Sequence, residues 1–310
     1  MATFIIVDAN AVLHRAWHAL PKLTDPKGRI VNAVYGFTAL LLKLIHEQNP
    51  SYLAITFDTK APTFRHLQYK EYKAGRTPQP QEFYDQIPIT KEVIKALNVQ
   101  FYAKDGFESD DLIGALDNLK SRQPDLKVLI VTGDRDMFQL IDDTTSVYYF
   151  LKGGLSQFQI YDKESVYQHF GIMPDKLIDL KALAGDPSDN IPGVKNVGPK
   201  TALKLIKAFD STENLYRHLK NCLQNKEECK IKKNLAELLI KSEEEVILNK
   251  KLLAILKNIE GVDDLEICRF ENINFEETED ILKKLGFVSL IKRLNSKPKE
   301  KNDKQQTLNF

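Results

Sequence analysis

Three short apolar runs, each ending in an aspartate, constrain the fold of this 310-residue chain most strongly. They are FIIVD at residues 4–8, YLAITFD at residues 52–58 and VLIVTGD at residues 128–134. Apolar runs of this length indicate strands that are buried on both faces of a sheet. Segments with helical periodicity accompany them, at residues 32–47, 84–97 and 109–120. The alternation predicts an α/β fold with a doubly wound, mostly parallel sheet.

The remaining segments depart from this pattern. Residues 59–82 are polar, aromatic and basic without a clean period, which predicts a long functional excursion from the sheet. From about residue 163 to residue 294 the pattern is helical, with glycine and proline at 185–199. Residues 295–310 are highly charged and predict a disordered tail. We therefore expect a core at residues 1–162, a helical region at residues 163–294 and a tail.

Composition and charge exclude some classes of protein. Apolar residues make up 43% of the chain, and 44 basic residues balance 43 acidic ones, so net charge does not indicate a polyanionic partner. The apolar start is interrupted by Asp8 and has no basic leader, so it is neither a signal peptide nor a membrane span. Cys222, Cys229 and Cys268 lack the C-x-x-C spacing of a zinc site. We expect reduced thiols, which fit a cytoplasmic protein.

Acidic residues collect where predicted strands and helices meet. Asp8, Asp58 and Asp134 end the three apolar runs, and the carboxyl ends of parallel strands share the sheet edge at which ligand crevices form. The motifs FESDDLIGAL, TGDRD and GDPSDN add acids that we expect beside the same edge. These additional acids are Glu108, Asp110, Asp111, Asp136, Asp186 and Asp189.

These nine carboxylates predict a metal site. They would repel one another unless a cation neutralised them. Their motifs supply only oxygen ligands, with no His or Cys, and so favour Mg²⁺ or Mn²⁺ over zinc. Each acid alone has an ordinary alternative as a cap, a turn residue or a solvated strand end, and FESDD by itself is typical of a helix N-terminus. It is their joint placement that favours the metal site.

A basic and aromatic stretch, RHLQYKEYKAGR at residues 65–76, follows the second acidic strand end. Aromatic side chains among cations suit single-stranded nucleic acid, whose bases stack while its phosphates are paired. A solvated helix face with i, i+3 charges is the alternative. Because the stretch comes soon after Asp58, we expect it to lean over the metal site. Lys73 or Arg76 would then stabilise charge on a transferring phosphate.

The stretch PGVKNVGPKTA at residues 192–202 carries two glycines around a short apolar turn, followed by Pro199 at a first helical position. Glycine allows the backbone to approach a ligand closely, and the next helix N-terminus offers N–H groups to a phosphate. Lys195 and Lys200 add positive charge. A plain helix–turn–helix packing corner is the alternative.

A set of motifs gives the chain a family resemblance. In order they are VDANAVLHRAWHAL, NAVYGFTALL, FDTKAPTFRH, YKEYKAGR, GFESDDLIG, TGDRDMFQL and GDPSDNIPGVKNVGPKTA. They resemble the 5′ nuclease domain at the N-terminus of bacterial DNA polymerase I, in the flap endonuclease superfamily. The likeness is dense over about residues 1–215 and looser to about residue 294. It implies a PIN-like core, a helical arch at about residues 60–82 that passes a 5′ single strand, and a helix–hairpin–helix that grips duplex DNA, often with K⁺.

The resemblance also implies roles for individual residues. All nine acids match metal-site acids of the family. Lys73 matches the arch lysine that contacts the scissile phosphate, Tyr72 matches a neighbouring aromatic residue, and Arg76 or Arg65 matches an assisting arginine. The residues expected to contact DNA are Arg65, Tyr69, Lys70, Tyr72, Gly193, Val194, Lys195, Gly198, Lys200 and Thr201.

The implied activity is two-metal hydrolysis of phosphodiester bonds by a structure-specific 5′-3′ exonuclease and 5′-flap endonuclease. Its expected substrates are DNA with a 5′ flap or 5′ end and RNA–DNA primer junctions, in lagging-strand primer removal and repair. We expect a cytoplasmic monomer with two or more Mg²⁺ or Mn²⁺ ions and no membrane partner.

Three alternatives bear on this function. The chain stops where polymerase domains would follow, so we expect a stand-alone nuclease without polymerase activity rather than a fragment. A PIN-type ribonuclease would share the acidic core but ordinarily lacks the arch and the hairpin. A non-catalytic structure-specific DNA-binding protein would keep the hairpin and lose acids, whereas all nine remain.

The C-terminal sequence QQTLNF carries a further motif. Gln305, Leu308 and Phe310 give the pattern Q-x-x-L-x-F, which resembles the motif by which bacterial replication and repair proteins bind the sliding clamp. An incidental end to a solvated tail is the alternative, because short motifs recur by chance.

Overall fold

The computed structural model describes residues 2–225 and 229–295, without the side chains of residues 223–225. One sheet lies at its centre, formed by β1 (Thr3–Asp8), β2 (Tyr52–Thr56), β3 (Gln100–Tyr102), β4 (Lys127–Thr132), β5 (Thr145–Phe150) and β6 (Phe158–Tyr161). The strand order is β3-β2-β1-β4-β5-β6, and every neighbouring pair is parallel except β5 with β6. The predicted mostly parallel α/β sheet is confirmed.

Helices alternate with the strands and then follow them. The first group is α1 (Ala9–Ala19), α2 (Asn32–Gln48), α3 (Phe64–Gln68), α4 (Gln81–Tyr84), α5 (Gln86–Ala96) and α6 (Ser109–Asn118). The described chain after β6 contains α7 (Lys163–Phe170), α8 (Leu177–Ala184), α9 (Pro199–Phe209), α10 (Thr212–Asn225), α11 (Lys233–Lys241), α12 (Glu243–Leu253), α13 (Phe275–Lys284) and α14 (Val288–Leu294). Short 3-10 helices occur at Leu119–Arg122, Arg135–Leu140, Pro174–Lys176 and Glu266–Cys268.

The observed boundaries differ from the predicted ones at two strand ends. β2 and β4 both end two residues before the aspartate that closes the apolar run. After β4 the chain turns into a 3-10 helix, and Asp134 caps it by accepting from the Asp136 N–H. The apolar runs do not predict β3, β5 or β6. β3 and β6 are short and have partly exposed positions, and β5 mixes buried with partly exposed residues.

Side chains from the sheet pack into two hydrophobic clusters, one on each face. Phe4 and Ile6 of β1 point into the first cluster, and Ile5 and Val7 into the second, as the period of two in a strand requires. The first cluster is shared with α6 and α8–α12, and the second with α1, α2, α5, α13 and α14. The helical region after residue 163 therefore packs on both sides of the sheet.

The excursion at residues 59–82 is less helical than the resemblance implies. Within it only Phe64–Gln68 and the start of α4 are α-helical, while residues 70–75 form turns and residues 76–80 are irregular. Lys73 has φ 55°, a left-handed conformation that cannot continue an α-helix, and its N–H donates to the Asp189 carbonyl at 3.0 Å. The expectation of a helical arch is thus corrected: a short helix, α3, is followed by a turn segment at residues 70–76, whose backbone is hydrogen-bonded to Asp189.

None of the helices in the described ranges is both long and apolar enough to cross a membrane. Gln305, Leu308 and Phe310 lie outside the described residues, as does most of the predicted tail.

Candidate active site

The carboxyl ends of β1, β2 and β4 are neighbours, which brings three of the predicted acids to one edge of the sheet. Asp8 is the last residue of β1, and Asp58 and Asp134 follow β2 and β4. The N-terminus of α6 starts from the same edge, because the Ser109 N–H donates to Asp58 at 2.7 Å. Glu108 caps α6, which brings the FESDD motif to this edge as predicted.

Asp8 is held by two hydrogen bonds at this edge. It accepts from the Ala11 N–H at 3.1 Å, which starts α1, and from the Thr132 hydroxyl at 2.8 Å. Burial and the nearby charge of Asp58 raise the pKa of Asp8 to about 7. Asp8 thus lies where its negative charge is costly.

Two further acids have raised pKa values for the same physical reasons. Burial and the charges of Asp134 and Asp8 raise the pKa of Asp110 well above its ordinary value. Burial and the charge of Asp134 raise the pKa of Asp136 to about 6. Desolvated carboxylates that repel one another are therefore a property of this edge as a whole.

Four of the acids, Asp8, Asp58, Asp110 and Asp134, make no ion pair with any residue that the structure describes. Asp58 is held instead by the Asn10 amide at 2.9 Å. Such a set of unpaired oxygen ligands fits a hard divalent cation. In the described chain no three of the acids have carboxylate oxygens all within 4.8 Å of one another, so they are spread along the edge rather than closed around a point.

Lys181 of α8 lies between two acids of this site. Its ammonium group binds both Asp136 and Asp186, the latter at 2.7 Å. Asp186 also accepts from the Ser188 N–H at 2.9 Å and from the Ser188 hydroxyl at 2.5 Å. Burial acts to raise the pKa of Asp186, but the hydrogen bond and charge of Lys181 outweigh it, and the pKa is lowered. Lys181 thus neutralises this part of the edge.

The turn segment after α3 neutralises another pair of acids, Glu108 and Asp189. The Lys73 ammonium binds Glu108 at 2.9 Å, and the Arg76 guanidinium binds Asp189 at 2.7 Å. The buried Tyr72 hydroxyl donates to Asp189 at 2.9 Å and contacts Glu108 at 3.1 Å. Burial acts to lower the pKa of Lys73, but Glu108 and Asp189 outweigh it and the pKa is raised. The structure thus places Lys73 and Arg76 beside the predicted metal acids.

Arg65 and Asp111 form a buried ion pair with each other. The Arg65 guanidinium binds both oxygens of Asp111, at 2.6 and 2.8 Å, and donates to the carbonyls of Leu252 and Ala254. Arg65 is 2% exposed and Asp111 is fully buried. The pair joins α3 and α6 to the end of α12, and the expected DNA contact of Arg65 and metal binding of Asp111 stay predictions.

A cavity of about 390 Å³ opens beside these acids. Arg76, Asp134, Asp136 and Lys181 contribute its charged wall, and Leu177 is among its apolar residues. A ligand in this cavity would therefore meet both carboxylates and cations.

The predicted hairpin connects α8 to α9, with its backbone packed closely against α8. A Cβ atom on Gly193 would lie 2.2 Å from the Ala184 carbonyl carbon, so only glycine fits there. Val194 is 2% exposed, and its N–H donates to the Leu183 carbonyl at 2.9 Å. The Val194 side chain therefore belongs to the core, and the expected DNA contact of Val194 stays a prediction.

The outer surface of the hairpin is different. Gly198 caps α9 and Pro199 is its first residue, as predicted. Lys195 and Lys200 are exposed, and Thr201 is half-buried. In the other predicted DNA-contact segment, Lys70 is exposed and Tyr69 is half-buried. These exposed side chains leave a surface on which a phosphate backbone could lie.

Four supporting residues are not among the site residues predicted from sequence: Asn10, Thr132, Lys181 and Asn249. Asn249 is 2% exposed and donates to the carbonyls of Ala182 and Pro192, at 3.1 and 2.6 Å, which fixes the hairpin on α8. Its signal in the sequence is an amide within the apolar run VILNKKLL. Asn10 and Thr132 stand two residues from a strand-end aspartate, whereas no local pattern marks Lys181.

A parallel sheet with an acid-lined carboxyl edge, joined to a helix–hairpin–helix, is the architecture of an α/β nuclease. Residues 3–171 match the family model for the 5′-3′ exonuclease N-terminal resolvase-like domain, and residues 172–276 match that for the 5′-3′ exonuclease C-terminal SAM fold. The chain belongs to the 5′-3′ exonuclease family.

Curated relatives support this membership. DNA polymerase I of Bacillus subtilis is 37% identical over 302 residues, and that of Lactococcus lactis is 38% identical over 296 residues. These matches cover 97% and 94% of this chain, but each covers only 33% of the relative. The chain thus spans about a third of the length of the relatives that it matches.

Solved structures show the same fold. The zinc-bound T5 5′-exonuclease has a TM-score of 0.69 at 20% identity, with 91% of this chain and 99% of that chain covered. The catalytic core of Rad2 in complex with a DNA substrate has a TM-score of 0.60 at 17% identity, with 92% and 87% covered.

Proposed function

We propose that this chain is a structure-specific 5′-3′ exonuclease and 5′-flap endonuclease that hydrolyses phosphodiester bonds in DNA and in RNA primers. The observation that carries the proposal is a set of four acids at one edge of the sheet that form no ion pair within residues 2–225 and 229–295: Asp8, Asp58, Asp110 and Asp134. Negative charge crowded at this edge favours binding of a cation, and a bound cation can in turn bind a phosphate. Family membership supplies the direction of the reaction.

Mg²⁺ or Mn²⁺ is the proposed cofactor, because the site offers oxygen ligands only. Asp8, Asp58, Asp110 and Asp134 would hold it, with Asp136 and Asp186 once Lys181 is displaced. Bound divalent ions would supply activation of water and stabilisation of the leaving oxygen. Three solved structures of the T5 protein are described with metal ions, and one of the three is a pseudo-enzyme-product complex with DNA and metal ions.

Lys73 and Arg76 are the proposed cationic residues of the reaction. They hold Glu108 and Asp189 in this structure, and both cations lie on a turn segment rather than in a continuous helix. A phosphate at the sheet edge would offer them an alternative anionic partner, which would bring positive charge to the reacting group. Tyr72 would position this segment through its two hydrogen bonds, and Tyr69 and Lys70 would face the single strand.

The hairpin is the proposed duplex-binding element. Its exposed groups are Lys195, Gly198 and Lys200, with Gly193 and the Val194 backbone shaping the turn and Thr201 in the first turn of α9. Phosphate contacts of this kind position a protein on DNA without reading sequence. We also propose K⁺ at the hairpin, which a dependence of duplex affinity on K⁺ rather than Na⁺ at equal ionic strength would test.

Other parts of the proposal concern the cellular context. We propose a cytoplasmic monomer that acts in primer removal and repair, and a tail in which Gln305, Leu308 and Phe310 bind the sliding clamp. A synthetic peptide of residues 300–310 should bind the cognate clamp with roughly micromolar affinity. Binding that is unchanged by Leu308→Ala with Phe310→Ala would contradict the role of these residues.

A nuclease assay tests the activity directly. The substrates are a labelled 5′ flap, a blunt duplex and single-stranded RNA, each with Mg²⁺ and with EDTA. We expect Mg²⁺-dependent cleavage of the flap and of the 5′ end. Preference for single-stranded RNA would indicate a PIN-type ribonuclease, and flap binding without cleavage would indicate a non-catalytic DNA-binding protein.

A further inference from the structure

Two cysteines and a histidine that are scattered in the sequence come together in the helical region. The ligand atoms of His218, Cys222 and Cys229 all lie within 4.8 Å of one another, and no other group of three such residues in the described chain does so. All three side chains are half-buried. The cluster lies on and after α10, so it shares no residue with the acidic edge of the sheet.

We propose that His218, Cys222 and Cys229 form a site for a soft divalent cation, Zn²⁺. Cysteine thiolate and histidine imidazole are ligands that select zinc over magnesium. Three protein ligands leave one tetrahedral position open to water, which agrees with the partial exposure of the cluster. The site thus differs in chemistry from the all-oxygen edge.

The geometry is close to what zinc requires. His218 and Cys222 are four residues apart on α10, so they lie on one face of the helix, and the Cys222 Sγ lies 3.4 Å from the His218 Nε2. A tetrahedral zinc with ordinary Zn–N and Zn–S bonds separates these two atoms by about 3.5 Å, and two sulfur ligands by about 3.8 Å. Only a small inward movement of Cys229 is therefore needed.

A zinc ion at this site would cross-link two parts of the helical region that carries the proposed duplex-binding hairpin. It would connect the last turns of α10 with Cys229, which precedes α11 in the chain. The His218 ring also packs on the ring of Phe209 at the end of α9, with centroids 5.0 Å apart. Because α9 begins at the hairpin, zinc would stiffen α10 against the end of the helix that follows the hairpin.

The sequence pattern did not indicate zinc here, because the three cysteines lack paired C-x-x-C spacing. The observed spacing is H-x₃-C followed by six residues and a second cysteine. The helix supplies the first pair, and only the folded structure places the third ligand beside it. Zinc ligation requires Cys222 and Cys229 in the reduced form, which agrees with the expectation of reduced thiols.

Cobalt spectroscopy on the full chain tests the site. Metal is removed from the protein with EDTA, and the protein is desalted into buffer with a phosphine reductant and titrated with Co²⁺. A thiolate bound to Co²⁺ gives a charge-transfer absorption. Co²⁺ at the carboxylate edge cannot give this absorption, because no thiolate is present there. We expect one equivalent with this absorption, displaced by Zn²⁺. Cys222→Ser and Cys229→Ser should each abolish it, and His218→Ala should weaken cobalt binding at least about tenfold.

Cys268→Ser is the matched control, because Cys268 is a buried cysteine outside the cluster. It should keep the absorption. Zn²⁺ at about 100 times its Kd should raise the Tm of the wild type by roughly 5 °C more than that of the Cys222→Ser, Cys229→Ser double variant. Absence of the absorption, or its persistence in the double variant, would overturn the proposal. Flap cleavage is measured in a separate assay, so neither outcome decides the proposed nuclease activity.

Discussion

At the carboxyl edge of the sheet the important groups are acidic side chains that the fold partly buries, whereas the hairpin presents backbone and exposed lysines. Burial raises the pKa of Asp8 to about 7 and that of Asp136 to about 6. In the hairpin the main constraint is steric, because the backbone of Ala184 leaves no room for a side chain at Gly193. The edge is therefore built to concentrate charge, and the hairpin to hold a backbone shape.

This contrast predicts that substitutions at the edge affect turnover and those at the hairpin affect affinity. Asp134 has no ion pair in the described chain, and it caps the turn that carries Asp136. Asp134→Ala should lower turnover on a 5′ flap by at least ~10²-fold while leaving flap binding largely intact.

Single-turnover cleavage and a binding titration measure the two effects of Asp134→Ala separately. Asp143→Ala is the control, since Asp143 is an exposed acid paired with Lys163 away from the edge. Cleavage by Asp134→Ala close to that of the wild type would remove Asp134 from the site.

The two glycines of the hairpin should respond differently. A Cβ on Gly193 would clash with the backbone of Ala184, whereas one on Gly198 meets nothing within 4 Å. Gly193→Ala should destabilise the fold by roughly 2–3 kcal/mol and weaken duplex binding at least about tenfold.

Gly198→Ala should leave the free energy of unfolding nearly unchanged and weaken duplex binding only if DNA approaches the backbone closely there. Denaturation curves and duplex titrations on both variants separate packing from contact. Equal stabilities for the two variants would contradict the close packing of Gly193.

Stability should depend on pH at the acidic edge. The pKa of Asp8 is about 7 in the folded chain and 3.8 ordinarily, so the folded state binds more protons between these values. Without divalent metal, stability should therefore fall as pH rises from about 4 to about 7. Asp8→Asn keeps a capping group and removes the charge, so its Tm in EDTA at pH 8 should exceed that of the wild type by roughly 5 °C.

Thermal unfolding in EDTA across this pH range measures the effect, with Asp143→Asn as the exposed control. Saturating Mg²⁺ should narrow the difference between wild type and Asp8→Asn. A wild-type Tm that does not fall over this range would show that Asp8 carries no such charge penalty.

The smallest expected effect is at Lys200, which is exposed in the first turn of α9. Lys200→Ala should weaken duplex binding a few-fold and lower the salt slope by about one, as for one lost phosphate contact. Lys284→Ala, an exposed lysine of α13, should leave the slope unchanged. An unchanged slope for Lys200→Ala would argue that the hairpin is only a packing corner.

The sequence alone determined three neighbouring strands of the sheet, β1, β2 and β4, and much of the acidic edge. Apolar runs that end in aspartate specify buried parallel strands, and topology then requires their ends to meet, so Asp8, Asp58 and Asp134 could be placed together without coordinates. Pro199 at the start of α9 followed from local chemistry in the same way. These features depend on residues that are close in sequence or on a periodic pattern.

Tertiary structure decided which charges pair and which groups cluster. Arg65 and Asp111 are 46 residues apart and Lys73 and Glu108 are 35 apart, and a local pattern does not specify such partners. It likewise took the folded chain to bring Cys229 to His218 and Cys222. Ion pairs between residues that are distant in sequence form when packing brings their surfaces together. The sequence therefore identifies the charged residues, but it does not show which of them form ion pairs with one another.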